Sequence, residues 1–405
     1  MEHLPLAGVR VLDFSWVWAG PFCTMQLAHM GAEVIRVESA ARLCTSRRIP
    51  PFADDVAGIN RAGYYNQYNQ GKRSITLNLR HPQGLAIAHG LVGLCDVVTE
   101  NFAAGVIERL GLGYETLRKM RPDLIMLSIS GFGRTGPYRA VAGYGPAVSA
   151  LSGFVSATGY EGYAPQLLGI SYADPSTGVL AAAAIVAALI NRDRTGRGMY
   201  IDQSLLEPSL ALMAEGLVEY AMTGREPARI GNRDPLLVPH NCYKARGDVN
   251  QWVTIAVATE HEWRSLCRVM GDEQLAQDPR FDSAAKRKRN EDALDEIITA
   301  WTSAHDRWDI TRRLQEAGVC AFPSMSNKDL AHDPHLQARG FLVTKEHPEV
   351  GRRIHAGIPW TINGAPVDVS GAAPILGADT DAILTELLGL KPDQIERLRS
   401  QGVLE

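Results

Sequence analysis

Apolar and polar positions come in short alternating blocks along the first third of the chain. Val9, Val11, Leu12 and Phe14 form an apolar run that Ala19-Gly20-Pro21 breaks. A helix is expected from about 22 to 30 and a second strand over 32–37. The rhythm continues with strand 74–79, helix 82–94, strand 96–99, helix 106–110 and strand 124–129. Strands alternating with helices predict an α/β fold with a parallel sheet covered on both faces. An alanine-rich helix follows Gly178 and stops at the polar 191–198 segment; strand 199–202 and a long apolar helix to about 222 come next.

The texture changes near Thr223, where 224–239 is rich in Arg, Gly, Asn and Pro and reads as a linker or exposed loop. Strand 252–258, helix 262–270, helix 291–303, helix 307–317 and strand 319–322 then predict a smaller α+β domain over about 225–325. The tail, with strand-like 353–362 and helices after Asp379 and Asp393, is short for a domain of its own. The expected division is therefore 1–224 for the first part of a large domain, 225–325 for the small one, and 326–405 returning to the large one.

Composition narrows the function classes. In 405 residues, 41 Lys and Arg face 45 Asp and Glu, so nothing favours a nucleic-acid or acidic-membrane partner. The run Lys286-Arg287-Lys288-Arg289 reads as a solvated helix start. Met1-Glu2-His3-Leu4-Pro5 lacks a basic stretch followed by an apolar one, so no secretory signal is expected. The longest apolar run, 179–190, falls short of the ~20 residues that span a bilayer and reads as a buried helix. Cys23, Cys44, Cys95, Cys242, Cys267 and Cys320 are scattered, without a metal-ligand spacing, and are expected to be reduced. A cytoplasmic protein without a metal site is the expectation.

Two segments invite chemistry. Gly131-Phe132-Gly133-Arg134-Thr135-Gly136 fits G-x-G-x-x-G after a strand. A dinucleotide site also needs a helix directly behind the last glycine to receive the pyrophosphate. Here Pro137, Tyr138, Gly143, Gly145 and Pro146 follow, which is loop chemistry, and argues against a nicotinamide-dependent oxidoreductase. The glycines would instead let a loop approach a ligand, with Arg134 and Arg139 suited to an anion. The second segment is Tyr172-Ala173-Asp174-Pro175-Ser176-Thr177-Gly178. Asp followed by Pro reads as a helix N-cap. A carboxylate held ionised at a helix start also suits covalent acyl chemistry. The segment alone leaves both readings open.

The motifs Val11-Leu12-Asp13-Phe14-Ser15-Trp16-Val17-Trp18-Ala19-Gly20-Pro21, Gly31-Ala32-Glu33-Val34-Ile35-Arg36-Val37-Glu38 and Lys72-Arg73-Ser74-Ile75 resemble the family III coenzyme A transferases. So do Glu100-Asn101-Phe102, Arg109-Leu110-Gly111, the Asp174 segment, Thr195-Gly196-Arg197-Gly198 and Ala331-His332-Asp333-Pro334, in that order over most of the chain. The resemblance implies a large Rossmann-like domain built from both chain ends, a smaller α+β domain, and two ring-shaped subunits interlocked as a homodimer or as a heteromer with a related subunit. It implies Asp174 as nucleophile, forming acyl anhydrides and an aspartyl-CoA thioester between an acyl-CoA donor and a carboxylate acceptor. CoA is then a substrate rather than a resident cofactor. Val17, Trp18, Leu77, Arg80, Asn101, Phe102, Arg109 and Tyr144 are the expected CoA contacts, with Arg80 and Arg109 for the phosphates.

Some positions depart from the family. Ser39 stands after Glu38 where an adenine-stacking Arg is frequent, leaving Arg42 as a substitute. Gly145 replaces an acidic residue frequent in the formyl-oxalate type, and the glycine loop of that type is not evident in 238–253. The racemase branch pairs an Asp with a His, and Tyr144 stands at the His position; a phenol of pKa about 10 is a poor base at neutral pH. A transferase is therefore favoured over a 2-methylacyl-CoA racemase, and with Asp174 present over a non-catalytic partner subunit. Trp16 and Trp18 resemble the pair in transferases of anaerobic aromatic degradation. That implies succinyl-CoA as donor and a bulky or aryl-substituted dicarboxylate such as benzylsuccinate as acceptor.

Overall fold

The computed structural model describes residues 4–369 and 371–405. Met1, Glu2, His3 and Ser370 lie outside the described residues, so most of the Met1–Pro5 stretch read above falls there. In chain order the first elements are β1 (Arg10–Asp13), α1 (Ala19–His29), β2 (Glu33–Glu38), α2 (Gly63–Tyr68), β3 (Arg73–Thr76), α3 (Pro82–Val92) and β4 (Val97–Glu100). Then come α4 (Val106–Arg109), α5 (Tyr114–Met120), β5 (Ile125–Ser130), α6 (Gly145–Leu151), α7 (Phe154–Ala157), α8 (Ala173–Thr195), β6 (Met199–Ser204), α9 (Leu206–Ala211) and α10 (Ala214–Thr223). The second half holds β7 (His240–Lys244), β8 (Trp252–Ala256), α11 (Glu260–Met270), α12 (Ala284–Arg289), α13 (Glu291–Thr302), α14 (Arg307–Glu316), β9 (Cys320–Pro323), α15 (Asn327–Ala331) and α16 (Pro334–Ala338). A hairpin β10 (Leu342–His347) with β11 (Gly351–Ala356), a small pair β12 (Thr361–Ile362) with β13 (Ala365–Pro366), and helices α17 (Thr380–Leu388) and α18 (Pro392–Ser400) close the chain.

The chain divides into two compact units. The larger gathers everything up to Val155, Leu167–Arg225 and His335–Glu405; the smaller is Ser156–Gln166 with Glu226–Pro334. The pattern of the sequence leaves 156–166 in the large domain, whereas this segment is bonded into the smaller unit. The Gly231 amide donates to the Gly159 carbonyl at 2.8 Å, and Asn232 Nδ2 to the Tyr160 hydroxyl at 2.9 Å.

Six parallel strands in the order β3-β2-β1-β4-β5-β6 make the large unit's sheet. The central strands are buried on both faces, which is why Val11-Leu12 and 125–129 read as continuous apolar runs rather than alternating ones. On one face Leu12, Ile35, Ile75, Val98 and Met126 pack with α3, α17 and α18 residues such as Leu91, Ile383 and Ile395. On the other, Val11, Val34, Val97, Ile125 and Leu127 pack with Cys23 and Leu27 of α1 and Ala181, Ile185 and Ala188 of α8. The outer edge of β3 is covered from far along the chain. Ser74 N donates to the Asp379 carboxylate at 2.8 Å, Thr76 N to Thr380 Oγ1 at 3.2 Å, and Asn78 N to the Val403 carbonyl at 2.8 Å.

Helix α8 is long and apolar enough to cross a membrane by length and composition. Its inner stripe is core, while Val179, Leu180 and Ile190 are exposed. The long apolar helix expected up to 222 is instead two helices, α9 and α10, interrupted at Leu212–Met213. In the smaller unit, antiparallel β7-β8-β9 packs Tyr243, Val253, Ile255 and Ala321 against Trp263, Leu266, Ile298 and Leu314. The basic run is only partly a solvated helix start. Arg287 is buried, bound to Glu260 at 2.7 Å and set over the Trp263 ring. Four of the cysteines (Cys23, Cys44, Cys95 and Cys267) are buried, Cys242 is half-buried and Cys320 exposed.

Candidate active site

In a sheet of order 3-2-1-4-5-6 the chain reverses direction of growth between β1 and β4, and ligands bind outside the carboxyl ends of the strands there. The loop 15–18 leaves β1 at this point and Asn101 and Phe102 leave β4 beside it. Asn101 clamps the loop: its Oδ1 accepts from Trp16 N at 2.6 Å and its Nδ2 donates to the Trp16 carbonyl at 2.7 Å. The Phe102 ring meets Trp16 edge-on at 6.0 Å. Val17 has φ 64°, a left-handed backbone that a β-branched residue adopts only when its surroundings impose it. Its N–H donates to Cys44 Sγ at 3.2 Å. Asn101→Ala is expected to leave both Trp16 backbone groups unmet and to lower unfolding free energy by about 1–3 kcal/mol. A urea titration checks this.

Below the loop lies a buried charged cluster. Asp13 accepts from Ser15 N at 2.9 Å, Thr24 Oγ1 at 2.7 Å, Thr99 Oγ1 at 3.1 Å and Lys72 Nζ at 3.2 Å. Burial works against its charge, yet Lys72 and Arg36 hold the carboxyl below the ordinary range. Lys72 also donates to the Pro21 carbonyl at 2.9 Å and to Asn69 Oδ1 at 3.0 Å, tying the start of α1 to the end of α2. Burial pushes the Lys72 ammonium down to about 8, with Asp13 opposing. Glu38 is held by Arg47 at 2.7 Å and by Arg36 at 3.3 Å, so these motif charges anchor one another inside the fold.

Asp174 is the second residue of α8, which begins at Ala173, so its carboxylate is not the N-cap. It accepts a hydrogen bond from the Ser171 hydroxyl and another from the backbone amide of Ala19, at the start of α1. Burial raises the carboxyl above the ordinary range, while Ser171 and Ala19 partly offset it. Among the described residues no lysine or arginine contributes. Two glycines make this approach possible. A Cβ on Gly178 would lie 2.8 Å from the Ala19 carbonyl oxygen, and one on Gly145 would collide with Ser171 Oγ and Asp174 Oδ2. A half-buried carboxylate poised on a backbone amide, without a cation to quench it, is equipped to attack an activated carbonyl. The amide can then donate to the oxyanion that develops.

The expected CoA contacts fall into different settings. Val17, Trp18, Asn101 and Phe102 gather at the β1–β4 crevice. Trp18 is buried at the head of α1, with its indole Nε1 unpartnered among the described residues. Asn101 spends its amide on the Trp16 backbone. The Leu77 side chain is in the core, 1% exposed, which leaves only its backbone to face a ligand. Arg80 and Arg109 are exposed and make no ion pair among the described residues. Tyr144, adjoining Gly145, is 76% exposed. Arg42 lays its guanidinium over the Trp16 ring at 5.2 Å. Arg134 is not a free anion ligand: it pairs with the buried Glu100 and lies 3.6 Å from Glu108. Sequence reasoning missed Ser171, the Ala19 amide, and two tyrosines of α2, Tyr64 and Tyr68, on whose phenols the Asp174 charge acts. The Tyr-x-x-x-Tyr spacing, which places both on one helix face, was the available signal.

A sequence profile for CoA-transferase family III matches residues 6–380. The succinate–glutarate CoA-transferase of Agrobacterium fabrum is 36% identical over 95% of this chain and 96% of its own length. The succinyl-CoA–D-citramalate CoA-transferase of Chloroflexus aurantiacus is 35% identical over 99% and 98%. Among solved structures, a CaiB/BaiF family protein from Brucella suis superposes with TM-score 0.87 at 34% identity, covering 95% of this chain and 99% of that one. The chain belongs to the family III CoA-transferases, and it is an enzyme of that class.

Proposed function

We propose that this enzyme moves CoA from succinyl-CoA to a small dicarboxylic acid, with Asp174 as the nucleophile. An Asp174 oxygen attacks the donor thioester carbonyl, forming a mixed anhydride and releasing CoA thiolate. The thiolate attacks the aspartyl carbonyl of that anhydride, giving aspartyl-CoA thioester and freeing succinate. The acceptor carboxylate then displaces the thiolate to form a second mixed anhydride. The thiolate takes the acceptor acyl group and Asp174 is restored as carboxylate. Every bond broken is matched by one formed, so the cycle as written needs no resident cofactor. What carries the reading is the Asp174 carboxylate, its pKa raised by burial and its oxygens met by the Ala19 amide and Ser171 with no cation beside it.

The donor and acceptor class are supported by the relatives' names, which pair succinyl groups with glutarate and citramalate. Those acceptors are aliphatic, and no aryl acceptor such as benzylsuccinate occurs among these names. The aryl reading keeps one observation in its favour: Trp16 is half-buried at the crevice, edge-on to Phe102. Val17, Phe102 and the Trp18 backbone are proposed to flank the pantetheine arm, Asn101 to hold their loop, and the Leu77 backbone to line the channel. Arg80 and Arg109, exposed and without an ion pair among the described residues, are proposed for the CoA phosphates, with Tyr144 at the channel mouth and Arg42 serving adenine. An interlocked dimer, or a heteromer with a related subunit, is supported by the apolar side chains α10 leaves exposed: Leu217, Val218, Tyr220 and Met222.

Intact-mass measurement after mixing with succinyl-CoA tests the reading. The wild type is expected to gain a CoA adduct that hydroxylamine removes, and Asp174→Ala to gain none. An adduct on both proteins, or on neither, would reject Asp174 as nucleophile. Glutarate, citramalate and benzylsuccinate offered to the loaded enzyme would then rank the acceptors.

A further inference from the structure

Helix α2 carries three tyrosines with two destinations. Tyr65 is buried, with the Arg47 guanidinium 3.5 Å from its ring centre. Tyr64 and Tyr68, one turn apart, face the other way and close around Trp18. Ring centres are 5.5 Å apart for Trp18–Tyr64, 5.2 Å for Trp18–Tyr68 and 5.0 Å for Tyr64–Tyr68, with Phe22 edge-on to Tyr68 at 5.7 Å. Trp18, Tyr64 and Tyr68 each bring a polar donor. The Trp18 Nε1–H is buried without an acceptor among the described residues, a state that native structures rarely leave unexplained. Neither phenol hydrogen-bonds to any described residue, and neither ring is fully buried. The three donors therefore lie idle at the head of α1, whose Ala19 amide touches Asp174.

We propose that Tyr68, with Trp18 Nε1 and Tyr64 beside it, is a specificity-determining group that binds the far carboxylate of the dicarboxylic acceptor through neutral hydrogen bonds. This rests on the transferase reading above. Neutral donors suit the site better than a cation. A lysine or arginine here would pair with Asp174 in the resting enzyme and blunt its attack. When the acceptor arrives, Asp174 carries CoA as an uncharged thioester, so the far carboxylate meets dipoles and no repelling charge. Burial, with the Asp174 charge adding to it, raises both phenols, which keeps them protonated as donors. A site built to hydrogen-bond a polar substituent discriminates strongly against the analogue that lacks it.

The test uses enzyme loaded with CoA from succinyl-CoA and freed of succinate, so that only the acceptor half of the cycle is measured. Loss of the aspartyl-CoA species is followed with glutarate and with pentanoate, which replaces the far carboxylate by a methyl group. The wild type is expected to react with glutarate much faster. Tyr68→Phe is expected to slow the glutarate reaction by roughly 10- to 100-fold, the worth of a hydrogen bond to a charged group, and to leave pentanoate within about threefold. Trp18→Phe, which keeps a ring and removes the donor, should act in the same direction. Equal loss with both acids would mean a packing role and overturn the proposal, as would no change with either acid or a wild type indifferent to the far carboxylate. If the wild type never loads, the transferase reading itself falls; loading without selective loss in Tyr68→Phe removes this inference alone.

Discussion

Asp174→Ala is expected to lower CoA transfer by roughly 10⁴-fold or more, the scale on which covalent nucleophiles are missed. The pH dependence should be diagnostic. Burial raises the Asp174 carboxyl, and only the ionised form attacks, so kcat/KM in the wild type should fall on the acid side around a pKa above the ordinary carboxylate range. The same shift has a consequence for stability. A carboxyl whose folded pKa lies above its unfolded pKa binds its proton more tightly when folded. Stability is then fully present below the unfolded value and is lost as pH rises through the folded one. Asp174→Asn should accordingly be inactive yet more stable than the wild type at neutral pH, with the gap closing below about pH 4. Thermal melts from pH 4 to 8 would show it. A wild type as stable as the variant throughout would contradict the raised pKa.

Gly145→Ala is expected to be the second most damaging change, although it adds a single methyl group. That methyl would occupy space now held by Ser171 Oγ and Asp174 Oδ2. Both are ends of rotatable side chains, so the fold should survive and the melting temperature move by only a few degrees. The nucleophile, however, must swing away from the Ala19 amide. Displacement of a reacting group by about 1 Å costs about 10²-fold, so kcat should fall by roughly that factor. Near-normal kcat would mean that Asp174 keeps its position by other means. The thioester-trapping experiment on this variant separates slow loading from slow acceptor attack.

Much of the large unit was legible because its strands are short, apolar and buried on both faces: β1, β2, β4 and β5 each lie within a residue or two of the run that predicts them. Helix α2 was not, since Gly63-Tyr64-Tyr65-Asn66-Gln67-Tyr68 has no apolar periodicity and is held by aromatic packing and the Lys72–Asn69 bond. Strand β7 leaves no apolar run for a similar reason: His240-Asn241-Cys242 is half-buried and polar, and its pairing with β8 is what makes it a strand. In the site, Asp174 could be singled out from its flanking motif, but its hydrogen-bond donors could not. Ser171 is an ordinary serine in sequence, and a backbone amide leaves no signature at all. Asn101 shows how a motif residue can be found while its hydrogen-bond partners stay hidden. Its position marks the crevice, and the structure shows its amide bonded to the backbone of Trp16.

The sealing of β3 by residues made long afterwards sets a timetable for synthesis. Ser74 and its Asp379 partner are separated by 305 positions. At roughly 5–20 residues per second, a ribosome needs about 15–60 s to make that interval. Throughout that time the nascent sheet has an open edge, which other strands can pair with. Productive folding in the cell is therefore expected to need that edge shielded while translation continues. The last segment, 379–404, acts as the closing piece of the domain rather than an appendage. A pulse-labelled chain arrested before residue 379 should bind holdase chaperones, and one released past 404 should let them go.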